Sequence, residues 1–97
     1  MKSRVLIAED DAVNGRLLES ILGGSEFDAT LVSSGEEALR ACAENKYDLL
    51  VTDLHMPGIS GIELVENLRA EANPIQAIIP TGEEAVSMDV RAMRARI

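Results

Sequence analysis

Tyr47-Asp48-Leu49-Leu50-Val51-Thr52-Asp53-Leu54-His55-Met56-Pro57-Gly58 is the stretch that decides the fold. Leu49 to Thr52 is apolar or β-branched throughout, the composition of a strand covered on both faces, as in a parallel sheet. The run ends on a carboxylate, Asp53, and then breaks. Pro57 pushes Met56 toward extended geometry, and Gly58 and Gly61 relax the turn. Asp53 is therefore expected at the carboxyl end of a strand, the edge where open α/β sheets bind ligands.

A second strand pattern, Val5-Leu6-Ile7-Ala8, runs into Glu9-Asp10-Asp11, so two strands bring four carboxylates toward one edge. Crowded carboxylates repel one another unless a cation joins them. Taken alone, Glu9-Asp10-Asp11 also reads as acids that favour a helix amino terminus, and Asp53 as a turn former.

Between these strands the apolar period changes from 2 to 3.6. Val13, Leu17, Leu18, Ile21 and Leu22 form a helical stripe that Gly23-Gly24 terminates, and Phe27 to Val32 follows as a strand. Ser34 and Glu37 read as a capping box opening a second helix, with Ala38, Leu39, Cys42 and Ala43 as its buried stripe and an end near Asn45. Beyond Gly61, Leu64, Val65 and Leu68 give a third helix one apolar face, and Asn73-Pro74 breaks it. Ile75 to Thr81 is a fourth strand; Val86, Val90, Met93 and Ile97 mark a fourth helix. Four βα units in a row imply a parallel sheet with helices on both faces, joined by right-handed crossovers.

Ninety-seven residues fit one domain, 1–97. Phe27 and Tyr47 are the sole aromatics, so the core is expected to rest on Leu, Ile, Val, Ala and Met, with no base-stacking surface. A net charge of −8 repels phosphate backbones, and no nucleic-acid partner is expected. The lone Cys42 forms no internal disulfide and reads as a small core residue, which fits a reducing cytoplasm. No apolar run approaches the ~18 residues of a membrane span, and no signal peptide is visible.

The ordered set Glu9-Asp10, Asp53, Met56-Pro57-Gly58, Gly61 and Thr81 resembles the response-regulator receiver domain of bacterial two-component signalling. That resemblance implies a flavodoxin-like, doubly wound parallel sheet of strand order 2-1-3-4. It implies that Asp53 is the phosphoacceptor, taking a phosphoryl group from the phosphohistidine of a sensor histidine kinase or phosphotransfer protein. Mg²⁺ would be held by Glu9, Asp10, Asp53 and the backbone carbonyl of His55. Thr81 would be the switch hydroxyl, Gly82 would leave room for the phosphoryl group, and His55 and Glu83 would tune aspartyl-phosphate lifetime. Such a module is not an enzyme beyond its own phosphoryl transfer and hydrolysis.

Family members continue through a fifth strand ending in Lys-Pro and a fifth helix, whereas this sequence stops at Ile97. It is expected to be an incomplete receiver, either a fragment or a naturally short form, with Lys2 and Lys46 both placed away from the site. Strand 4 would then be a sheet edge open to pairing, so a homodimer through strand 4 or helix 4 is expected. Pro80 is a further departure and suits a strand end. Two functions stay open: a phosphoacceptor signalling module that switches a partner surface, and a phosphorylation-independent interaction or dimerisation module.

Overall fold

Among the described residues, six-residue β1 (Ser3–Ala8) lies inside a four-stranded parallel sheet, between β2 (Phe27–Val32) and β3 (Leu49–Thr52), with β4 (Gln76–Ile78) beyond β3. The computed structural model describes residues 3–22, 27–53 and 56–78. Chain order is β1, α1 (Ala12–Leu22), β2 (Phe27–Val32), α2 (Gly35–Glu44), β3 (Leu49–Thr52), α3 (Gly61–Ala70) and β4 (Gln76–Ile78). The sheet order is the one the resemblance implies, and the alternation of strands and helices is the one expected from the apolar periods. Gly23-Gly24, His55, Pro80, Thr81, Gly82, Glu83 and the fourth helix lie outside the described residues.

The continuous apolar runs are buried on both sides because helices cover both faces. Leu6, Ala8 and Leu50 pack on one face with Ala38 of α2 and Leu64 and Leu68 of α3. Val5, Ile7, Leu49 and Val51 pack on the other with Leu18 and Leu22 of α1. Each fully buried leucine contributes roughly 1.5–3 kcal/mol relative to exposure. Both aromatics join this core, contrary to the purely aliphatic expectation: Phe27 on the α1 side and Tyr47 on the α2–α3 side. Tyr47 is held partly by the Arg4 guanidinium, 4.9 Å from its ring centroid, while the Asp48 carboxylate accepts from the Arg4 amide at 2.8 Å.

Two helical stripes differ from expectation. Val13 is 77% exposed and Leu17 40%, and the buried line of α1 is instead Gly15, Leu18 and Leu22. Gly15 explains the shift: a Cβ there would stand 3.0 Å from a Leu31 methyl, so α1 lies against β2 along its glycine and turns Val13 and Leu17 outward. On α2, Ala38, Leu39 and Cys42 face the core as expected, but Ala41 rather than the exposed Ala43 completes the contact.

Helix ends are set by local chemistry. Ser34 accepts from the Glu37 amide at 3.1 Å, as a capping box requires, but the Glu37 carboxylate turns to the Ser33 amide and hydroxyl, 3.1 and 3.2 Å away. A complete capping box occurs instead at α3, between Ser60 and Glu63. α3 stops at Ala70, before Asn73-Pro74 is reached. The Asn73 amide donates to the Leu68 carbonyl and the Ala72 amide to the Arg69 carbonyl, with Ala72 at φ 60°. This is a Schellman ending with alanine where glycine is usual. Because left-handed geometry costs a residue with a Cβ about 1–2 kcal/mol, Ala72→Gly should raise stability by up to about 1 kcal/mol. A higher urea midpoint at unchanged slope would show it.

Candidate phosphoacceptor and metal site

Register brings the acids together. β1 and β3 pair with Ala8 opposite Thr52, so the next residues along, Glu9 and Asp53, leave the sheet side by side. Alternation puts both on the α1 side, Glu9 continuing Val5 and Ile7, Asp53 continuing Leu49 and Val51. The ladder extends one step to hold them: the Asp53 amide donates to the Ala8 carbonyl at 3.0 Å, and the Glu9 amide to the Val32 carbonyl at 3.1 Å. The Thr52 hydroxyl donates to the Asp53 carbonyl at 3.1 Å, fixing that peptide further.

One carboxylate oxygen each from Glu9, Asp10 and Asp53 lies within 4.8 Å of the others. Glu9 is buried, Asp53 half-buried and Asp10 exposed, so the cluster opens outward through Asp10. Asp11, the fourth acid of the run, does a different job. Its carboxylate accepts from the Val13 and Asn14 amides at 2.8 and 3.2 Å and caps α1. The helix-start reading therefore holds for Asp11, while Glu9 and Asp10 stand with Asp53 in the cluster. The cap was legible as an Asp immediately before helical periodicity.

Electrostatics single out Glu9. Burial pushes its carboxyl up to about 7, helped by the charges of Asp53 and Asp10 and by a carboxyl–carboxylate contact with Asp53. Only the Asp11 amide, donating to Glu9 at 3.2 Å, acts in the other direction. Such a group is short of positive charge. Three hard oxygen donors within 4.8 Å fit a small divalent cation, whose octahedral shell is about 4 Å across and retains waters where carboxylates do not reach.

The structure thus joins Glu9, Asp10 and Asp53 of the expected site; His55, Thr81, Gly82 and Glu83 lie outside the described residues. Lys46 precedes β3 at the amino end of the sheet, opposite the acids, where it lines a shallow cavity with Cys42, Tyr47 and Glu71. Burial and the Glu71 charge raise the Cys42 thiol above its ordinary value, consistent with a packing role. Among the described residues no helix is long and apolar enough to cross a membrane.

Comparison with known proteins agrees with this geometry. The chain is 38% identical over 72 residues to the DNA-binding response regulator MtrA of Mycolicibacterium paratuberculosis, covering 74% of this chain and 32% of that protein. It is 31% identical over 93 residues to the transcriptional regulatory protein FixJ of Bradyrhizobium diazoefficiens, covering 96% of this chain and 45% of that one. The chain thus spans about a third to under half the length of these relatives. Among solved structures, a Francisella response-regulator receiver domain superposes with TM-score 0.79 at 26% identity, over 97% of this chain and 78% of that one. The response regulator TrrA of Thermotoga maritima, solved in complex with Mg²⁺-BeF, gives 0.75 at 33% identity, over 81% and 68% respectively. The family described as the response regulator receiver domain matches residues 5–97, and with the acids on the expected strand ends the chain belongs to that family, the receivers of two-component signalling.

Proposed function

We propose that Asp53 is the phosphoacceptor of this receiver and that Glu9, Asp10 and Asp53 hold Mg²⁺ beside it. The observation that carries the reading is the set of three carboxylates at the strand ends within 4.8 Å, with Glu9 buried, Asp53 half-buried and Asp10 exposed. A carboxylate oxygen of Asp53 attacks phosphorus of a phosphohistidine on a sensor histidine kinase or phosphotransfer protein. The P–N bond breaks, and the imidazole leaves with its electron pair and takes up a proton. Bound Mg²⁺ supplies the positive charge that lets one anion approach another. The Asp53 backbone, tied to Ala8, keeps the nucleophile at the carboxyl end of the sheet.

By family resemblance the His55 carbonyl completes the metal set, the Thr81 hydroxyl answers the new phosphoryl oxygens, Gly82 gives them room, and His55 and Glu83 set the lifetime. Phosphorylation adds nearly two negative charges and strong acceptors, enough to reorder a loop and change a partner surface. The intact acid set favours this reading over a purely binding module. The relative named as DNA-binding is about three times the aligned length, so an output carried by a further domain or a separate partner is part of the proposal. The aspartyl phosphate itself tests it, trapped by hydroxylamine or borohydride and located on the peptide containing Asp53.

The outward Val13 and Leu17 stand on the first two turns of α1, directly after the acids. They suit an apolar contact with the donor protein. A Val13→Ser, Leu17→Ser double variant should accept phosphate from a small phosphodonor at the wild-type rate but from a phosphohistidine protein roughly tenfold more slowly, the loss of about 1.4 kcal/mol of apolar contact. Parallel rate measurements with the two donors check this.

A further inference from the structure

The turn between β2 and α2 supplies none of the three acids, yet it runs from the strand end bonded to Glu9 to the loop that follows Asp53. At one end the Val32 carbonyl accepts the Glu9 amide at 3.1 Å. At the other, buried Gly35 opens α2 against the loop that follows Asp53: a Cβ on Gly35 would stand 2.9 Å from the Ile59 Cβ and 3.0 Å from the Ile59 carbonyl oxygen. The next residue, Glu36, fills the space beside Gly58, where a Cβ would meet its carboxylate at 2.6 Å and where φ is +80°. Glycine is required at 35 by close approach and at 58 by its positive φ.

The turn is stiff in its own right, because Ser34 caps the helix and Glu37 binds back to Ser33. The loop it touches is anchored too, by buried Met56 on one side and the Ser60–Glu63 capping box on the other. Close-packed groups pass a displacement on rather than absorb it. We propose that residues 32–37 form a bracket that steadies the separation of Glu9 from Asp53 given by strand register, with Gly35 and Ile59 as positioning residues for the phosphoacceptor; the catalytic half of this rests on the role given to Asp53 above.

The test uses the full 97-residue chain as wild type, Gly35→Ala and Ile75→Val. Ile75 is a buried control at the amino end of the sheet. Amide hydrogen exchange is read at Glu9 and Asp53 against Leu6 and Leu50, together with the maximal phosphorylation rate at saturating small phosphodonor and Mg²⁺. Gly35→Ala should lower protection at Glu9 and Asp53 about tenfold beyond any loss at Leu6 and Leu50, and slow the maximal rate by a similar factor. Ile75→Val should lower all four amides together and leave the rate alone. Should Gly35→Ala not fold, Ile59→Ala loosens the same contact without crowding it and should show the same selective loss. Equal loss at all four amides in the bracket variant, or none, overturns the proposal. If the wild type accepts no phosphate, the assignment of Asp53 fails while the exchange data still decide whether the bracket exists.

Discussion

Asp53→Asn should abolish phosphorylation while leaving a folded protein that is, without metal, at least as stable as the wild type. Asparagine keeps the size of the side chain and the backbone bond to Ala8 but is no nucleophile toward phosphorus. It also removes the charge that, after burial, contributes most to the raised Glu9 carboxyl. Intact-mass spectrometry with a small phosphodonor and Mg²⁺ should give one phosphoryl adduct on the wild type, none without metal and none on the variant. A thermal melt in chelator should place the variant at or above the wild type. An adduct surviving in the variant would remove Asp53 from its role; a large drop in melting temperature would show that Asp53 stabilises the fold instead of straining it.

Metal-free protein should lose stability between pH 5 and 8, the range in which many proteins are most stable, and Mg²⁺ should restore it. Glu9 in the folded state stands at about 7, above its ordinary 4.5. Between those values the folded protein keeps a proton that the unfolded chain has released. The stabilisation is complete below about 4.5 and disappears as pH rises through about 7. With 1.36 kcal/mol per pH unit, the loss is at most about 3–4 kcal/mol, a large share of a small domain's total. A divalent ion that binds only the folded cluster offsets it and flattens the slope. Glu9→Gln, a neutral mimic of the protonated acid, should be flat across the same range without metal. Urea titrations at pH 5, 6.5 and 8, with chelator and with Mg²⁺, measure all three cases; a wild type whose metal-free midpoint is constant would contradict the strain assigned to Glu9.

Much of this was legible in the chain because its signals are local. Leu49 to Thr52 and Val5 to Ala8 are too apolar to be anything but doubly covered strands, and their ends on Asp53 and Glu9 follow from chain order alone. The errors arose where one helix meets one strand. Val13 and Leu17 share a period with Leu18 and Leu22, but periodicity does not say which part of a wide stripe is buried. Gly15 against Leu31 settles that by letting α1 sit close on its glycine side. Similarly, Glu37 had two serines within reach, and the path of the turn directed it to Ser33.

The strand and helix alternation, the parallel sheet it demands and the identity of the acids at the strand ends can all be read from the chain, since each depends on composition and spacing within a dozen residues. Packing in three dimensions set how near those acids come to one another and how deeply Glu9 is buried, which holds its proton toward neutrality. Those outcomes depend on strand register and on contacts between residues far apart in the chain, such as Glu9 with Val32 and Asp53 with Ala8, where separation in space is set by packing and not by position along the sequence.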